Sequence, residues 1–132
     1  GDTGILLSKI QYIKKGAKKD FIIIDAGMND FMRPALYVAV HKIIPIRKSK
    51  SKLKGTIEFV GPICESTCKF GSYKNYQKMS ENDFVAITNV GAYGSSLSSN
   101  YNSRPLIAEL LVNKNKIKYI RKKQDLLKLI NS

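Results

Sequence analysis

Phe21-Ile-Ile-Ile-Asp-Ala-Gly-Met-Asn-Asp-Phe-Met-Arg-Pro-Ala-Leu-Tyr37 passes from strand to turn to helix within one short stretch. Its first four residues are apolar and largely β-branched, and they follow the charged Lys18-Lys19-Asp20, a pattern that predicts a buried strand. Asp25-Ala26-Gly27 ends that strand, and Asn29 and Asp30 suit a chain that is changing direction. Pro34 fits the first turn of a helix, where its missing N–H leaves no hydrogen bond unmade. A helix over 33–40 places Arg33 and Tyr37 on one face, four residues apart. A guanidinium beside a phenol at the mouth of a strand can receive a carboxylate or a phosphate. Taken alone, the pair reads more plainly as a surface contact between neighbouring turns. Motifs further along the chain change that reading.

Upstream, residues 5–14 (ILLSKIQYIK) alternate from Leu7 onward, with Leu7, Lys9, Gln11 and Ile13 on one side and Ser8, Ile10 and Tyr12 on the other. A strand is predicted, and a turn at 15–18 returns the chain antiparallel through 21–25 as a first hairpin. Downstream, 41–47 (HKIIPIR) is a strand whose Pro45 implies an edge or bulge position. A basic loop over 49–54 leads to a strand over 55–63 (GTIEFVGPI), kinked at Gly61-Pro62. Residues 69–82 are polar without a clear period and read as loop. A strand over 83–90 (DFVAITNV) ends at Gly91-Ala92-Tyr93-Gly94, and 95–104 forms a turn or short helix. Residues 106–112 and 117–121 make a second hairpin around Asn113-Lys114-Asn115-Lys116, and 125–130 has helical spacing. Short strands, frequent turns and little helix predict one mainly β domain over 1–132, an antiparallel β-barrel or sandwich with one or two short helices.

A chain of 132 residues is one domain's worth, and its apolar content of 43% is ordinary for a globular protein. No apolar run approaches membrane-spanning length and no secretory pattern opens the sequence. The chain begins on Gly1 rather than methionine and reads as part of a longer or processed polypeptide. Twenty-three Lys and Arg against ten Asp and Glu give a net charge of +13. Such a charge can serve nucleic acid or a membrane surface. Here it falls in turns and on strand faces, at Lys14-Lys15, Lys18-Lys19, 47–54, 114–118 and Arg121-Lys122-Lys123, without a nucleic-acid-binding signature. It reads as solvated charge. Cys64, Cys68 and His41 are too few for a structural zinc site, and Cys-x-x-x-Cys is not the redox spacing. The two cysteines read as reduced thiols of a cytoplasmic protein, with a disulfide as the alternative, and His41 reads as structural.

Three motifs, DAGMNDFMRPALY, GPICES and GAYGSSLSSNYNSRP, stand in this order and at these intervals. Together they resemble the C-terminal β domain of the diaminopimelate decarboxylase family, and the similarity runs over nearly the whole chain. Related pyridoxal-phosphate decarboxylases of the alanine-racemase-like fold, acting on ornithine, arginine or carboxynorspermidine, are the alternatives within the same architecture. The resemblance implies that Arg33 and Tyr37 hold the substrate's distal carboxylate and that Glu65 binds its distal ammonium. It makes Cys64 the catalytic proton donor after carbon dioxide leaves, since a thiol can act as an acid near neutral pH. Tyr93 would contact substrate and cofactor. In the family, Cys64 and Glu65 reach into the neighbouring subunit of a homodimer.

The family's cofactor is pyridoxal 5'-phosphate. Its Schiff-base lysine and phosphate loop belong to an N-terminal (β/α)8 barrel that this sequence does not contain, and the first strands of the sheet also come from ahead of that barrel. The expectation is therefore a domain that supplies substrate-binding residues, a proton donor and dimer surface, inactive by itself, in a lyase of lysine biosynthesis converting meso-2,6-diaminopimelate to L-lysine and carbon dioxide. The barrel, as a domain or separate chain, is the implied partner. One departure stands out: Cys68 occupies the position where the family pattern carries Asp. The rival from another class is a stand-alone basic module repurposed to bind an anionic partner.

Overall fold

The computed structural model describes residues 2–132, so the first residue of the expected domain lies outside it. The β-branched runs form the centre. Strand β1 (Ile5–Lys14) and strand β2 (Asp20–Ile24) make the expected antiparallel hairpin, with Ile10 opposite Ile24 and Lys14 opposite Phe21. The register slips between Ile10 and Tyr12, where β1 carries one extra residue. That bulge inverts the alternation read from the sequence: Leu6, Ser8 and Ile10 point into the core, and beyond it Ile13 packs inward while Tyr12 is exposed.

After helix α1 (Arg33–Tyr37), strand β3 (Ile43–Pro45), strand β4 (Thr56–Val60), strand β5 (Lys69–Lys74) and strand β6 (Phe84–Thr88) complete a six-stranded sheet of order β3-β6-β1-β2-β4-β5. Pairing of β2 with β4 is parallel and the other four pairings are antiparallel. A parallel pair needs a crossover connection. Here the crossover holds α1 and β3, which places the helix beyond the end of β2. Pro45 sits on an edge strand, as expected.

Two further expectations are corrected. Residues 69–74 form β5 instead of loop; this strand is an edge, so only Phe70 is buried, while lysines, a serine and Gly71 conceal the apolar signal. The helix ends at Tyr37 rather than at 40, because Val38 adopts a left-handed conformation at φ 51 and ψ 32. That conformation is costly for a β-branched residue and cannot continue a helix.

The sheet curls into a half-barrel. Its edges are drawn together by tyrosines: Tyr73 accepts from Ile43 N at 3.0 Å and donates to His41 O at 3.3 Å, and Tyr76 donates to Ile43 O at 2.7 Å. Burial pushes both phenols above their ordinary pKa, so they remain donors. Inside lie Ile10, Ile22, Ile24, Ile57, Phe59 and Ile87, all fully buried.

Glu58 is buried beside β2 and β5, where Lys19 Nζ lies 2.6 Å and Ser72 Oγ 3.0 Å from its carboxylate. Burial raises its pKa, but the hydrogen bonds from Lys19 and Ser72, with the charges of Lys19 and Lys69, outweigh that and hold it below the ordinary 4.5. A depressed carboxylate contributes stability that is present above its unfolded pKa and lost as pH falls through the folded one. Glu58→Gln is expected to flatten the acid limb of stability below that ordinary value, measured by denaturant unfolding over a pH series. Parallel curves for the two proteins would contradict the assignment.

A second sheet of two strands, β7 (Glu109–Asn113) and β8 (Lys116–Arg121), is the expected second hairpin. Helix α2 (Leu126–Ile130) follows, capped by Asp125, which accepts from Leu127 N at 3.0 Å. Consecutive residues Leu110, Leu111 and Val112 on β7, with Tyr119 and Ile120 on β8, are all exposed, so both faces of this hairpin are apolar and uncovered.

Candidate functional site

The turn ahead of α1 is built by its own polar side chains. Gly27 O accepts from Asp30 N at 3.0 Å and Phe31 N at 3.2 Å, and Asp30 Oδ2 accepts from Gly27 N at 2.8 Å. A Cβ at Gly27 would stand 2.6 Å from Asn29 Oδ1, so a larger residue there would displace the Asn29 side chain. Asp25 pins the turn to β1, its Oδ1 accepting from Ser8 Oγ at 2.6 Å and Lys9 N at 2.9 Å. Burial pushes the Asp30 carboxyl upward, opposed by the Gly27 N–H, the Arg104 charge and the Asn29 amide.

Arg33 therefore begins a helix whose start is fixed. Its Cζ lies 5.9 Å from the Tyr37 ring centroid and 5.2 Å from that of Tyr93. Three of the expected site residues come together here, two from one motif and one from a loop sixty positions later. Stacking on two rings holds the guanidinium in place without using its donors. Its Nε is buried without a partner, and among the described residues no carboxylate pairs with it. Tyr37 and Tyr93 are both half exposed or more. The arrangement is a cation with vacant donors between two phenols.

Cys64 and Glu65 occupy a different turn, after the kink at Gly61-Pro62. Glu65 N donates to Ile63 O at 2.8 Å and Cys68 N to Glu65 O at 3.0 Å. Both cysteines are free thiols, Cys64 exposed and Cys68 buried. Together with Glu65 they line an open pocket of about 500 Å³ whose apolar wall includes Phe21, Ile23 and Val60. No contact joins this group to Arg33 among the described residues. Cys68, at the position where an Asp was expected, accepts from Met28 N at 3.4 Å, so the sulfur keeps an acceptor aimed at the DAGMND turn. Glu65 accepts from the Tyr101 hydroxyl, and that hydrogen bond, then the carboxylate's charge, raises the Tyr101 phenol.

Sequence reasoning gave no role to Tyr101, nor to Arg104, whose guanidinium bonds Asn29 and Asp25. Both stand inside the third motif, but tyrosine and arginine amid small polar residues carry no spacing signal. His41 is buried edge-on to Phe31 at 4.7 Å, and its Nδ1 lies 3.0 Å from Thr88 O. No helix among the described residues is long and apolar enough to cross a membrane.

The family described as pyridoxal-dependent decarboxylase, C-terminal sheet domain, matches residues 2–91. Diaminopimelate decarboxylase of Helicobacter pylori is 45% identical over 125 residues, which cover 95% of this chain and 31% of the relative. Among solved structures, diaminopimelate decarboxylase from M. jannaschii superposes with a TM-score of 0.90 at 37% identity, over 98% of this chain and 30% of that one. The Helicobacter pylori enzyme complexed with L-lysine superposes with a TM-score of 0.85 at 43% identity, over 98% of this chain and 32% of that one. The chain spans about 30% of the length of the relatives that it matches.

Proposed function

From the premise that the chain belongs to the pyridoxal-dependent decarboxylases, as their C-terminal sheet domain, we propose that it serves the conversion of meso-2,6-diaminopimelate to L-lysine and carbon dioxide. The observation that carries this is the Arg33 guanidinium, held between Tyr37 and Tyr93 with no anion of its own among the described residues. It is a receptor for the substrate's distal carboxylate, with the Tyr37 phenol at its side. Glu65 takes the distal ammonium, Cys64 returns a proton to the α-carbon after carbon dioxide leaves, and Tyr93 lies against substrate and cofactor.

The separation of Cys64 and Glu65 from Arg33 supports a site shared across a homodimer. Each copy supplies a carboxylate receptor to one site and a proton donor with an ammonium receptor to the other. Pyridoxal phosphate, when bound, supplies the electron sink for decarboxylation. This chain fits the rim of such a site and not its cradle. Nearly all of its lysines are exposed, and Lys19 is paired with Glu58. The cradle belongs to a (β/α)8 barrel on the same polypeptide or a second one. The uncovered apolar faces of β7, β8 and α2 fit a surface that the rest of the enzyme covers. The same reading places the enzyme in the cytoplasm, where its thiols stay reduced.

Arg33→Ala in the assembled enzyme tests the carboxylate receptor. Losing a charge-assisted, bidentate contact is expected to raise KM for meso-diaminopimelate by roughly 10- to 100-fold. Decarboxylation kinetics with unchanged KM would overturn the role.

A further inference from the structure

Arg104 has no part in the chemistry described above, yet it reaches across two of the three motif segments. Its Nε donates to Asn29 Oδ1 at 3.0 Å, and its Nη2 donates to Asp25 O at 2.7 Å and lies 3.9 Å from Asp30 Oδ2. Asn29 is fully buried and Asp30 nearly so. Asn29 is itself bound to the later segment, its carbonyl accepting from Ser99 N at 2.9 Å and its amide donating to Ser99 O at 3.4 Å. On its own side Arg104 closes the turn around Tyr101. Its N–H donates to Tyr101 O at 3.4 Å, and its carbonyl accepts from Asn100 Nδ2 at 2.9 Å.

No strand pairing joins these two segments among the described residues; polar contacts around the buried Asn29 do. The residues gripped at one end, Asp25, Asn29 and Asp30, all precede Arg33 in the turn that leads into α1. The turn closed at the other end carries Tyr101, whose hydroxyl donates to Glu65. Besides the Met28–Cys68 and Asn29–Ser99 hydrogen bonds, this one guanidinium ties the segment that carries Arg33 to the turn whose Tyr101 bonds Glu65. A planar fork with several donors can hold two acceptors at a fixed spacing, as an ammonium cannot.

We propose that Arg104 is a positioning residue that fixes the start of α1 under Arg33 relative to the Tyr101–Glu65 pair. It sets the geometry in which the carboxylate receptor and the ammonium receptor are presented. This rests on the proposed roles of Arg33 and Glu65, while the clamp itself is a matter of geometry that can be read separately.

The test uses two resonances of this chain followed by NMR. One is the Arg33 side-chain methylene, shifted by the Tyr37 and Tyr93 rings. The other is the Tyr101 ring, whose pH titration reports the bond to Glu65. Glu65→Gln serves as the reference for loss of that bond. In Arg104→Ala the amide resonances of β1 to β6 are expected to hold their positions. Tyr101 should titrate at lower pH, as in Glu65→Gln, and the Arg33 methylene should lose most of its ring-current shift. Arg104→Lys should recover part of both changes. Where Arg104→Ala does not fold, Arg104→Lys is read against the parent and is expected to show both changes in smaller measure. Both resonances unchanged in the folded variant would overturn the proposal. Should Arg33→Ala leave KM of the assembled enzyme unaltered, the substrate reading fails, and the clamp is still decided by these two resonances.

Discussion

Cys64→Ala in the assembled enzyme is expected to lower kcat by about 100- to 10,000-fold, the range of a positioned general acid, with little change in KM. The reasoning begins with where Cys64 stands. It is exposed on a turn held by backbone bonds from Glu65 to Ile63 and from Cys68 to Glu65, so removing the thiol opens no cavity. A fold defect is therefore not the expected cause of lost turnover. A proton donor acts only in the chemical step, so ground-state binding should survive. Cys68→Ala makes the contrasting control. Cys68 is buried and accepts from Met28 N, so its loss should lower stability more than turnover. If Cys64→Ala turned over at the parent rate, the proton would come from another group.

The second large effect concerns association. Leu110, Leu111, Val112, Ile117, Tyr119 and Ile120 leave both faces of a two-stranded sheet uncovered, and among the described residues no further strand pairs with either of its edges. Apolar faces of that kind and open strand edges recruit other chains. The net charge of +13 opposes association of these residues with one another. Salt screens that repulsion, over a distance of roughly 10 Å at 0.1 M. The isolated chain is expected to sediment as a monomer at low salt and to associate as salt rises. A barrel from a related decarboxylase, supplied with the strands that precede it, should abolish that association. A chain that stays monomeric at high salt and ignores the barrel would favour a repurposed binding module.

The parts of the fold that were legible in the sequence are those where burial forces a pattern. Phe21 to Ile24, Thr56 to Val60 and Phe84 to Thr88 are, Glu58 apart, largely β-branched or apolar because they lie in the interior of the sheet. Strand β5 was not legible, because an edge strand need bury only Phe70 and here carries Gly71 where its register with β4 shifts. The bulge in β1 left no mark of its own, yet it reverses which residues face inward beyond Ile10. Arg33 and Tyr37 could be paired from helical spacing alone. Tyr93 could be joined to them only through the motif, since its ring arrives from a distant segment. Tyr101 and Arg104 stayed silent because long-range hydrogen bonds have no period in sequence.

The most direct test of the account is release of carbon dioxide from meso-diaminopimelate by this chain combined with such a barrel and pyridoxal phosphate. Neither piece alone should release any, the mixture should form carbon dioxide and lysine in equal amounts, and Cys64→Ala should suppress both. A barrel that is equally active without this chain, or a stable complex that remains inactive, would contradict it.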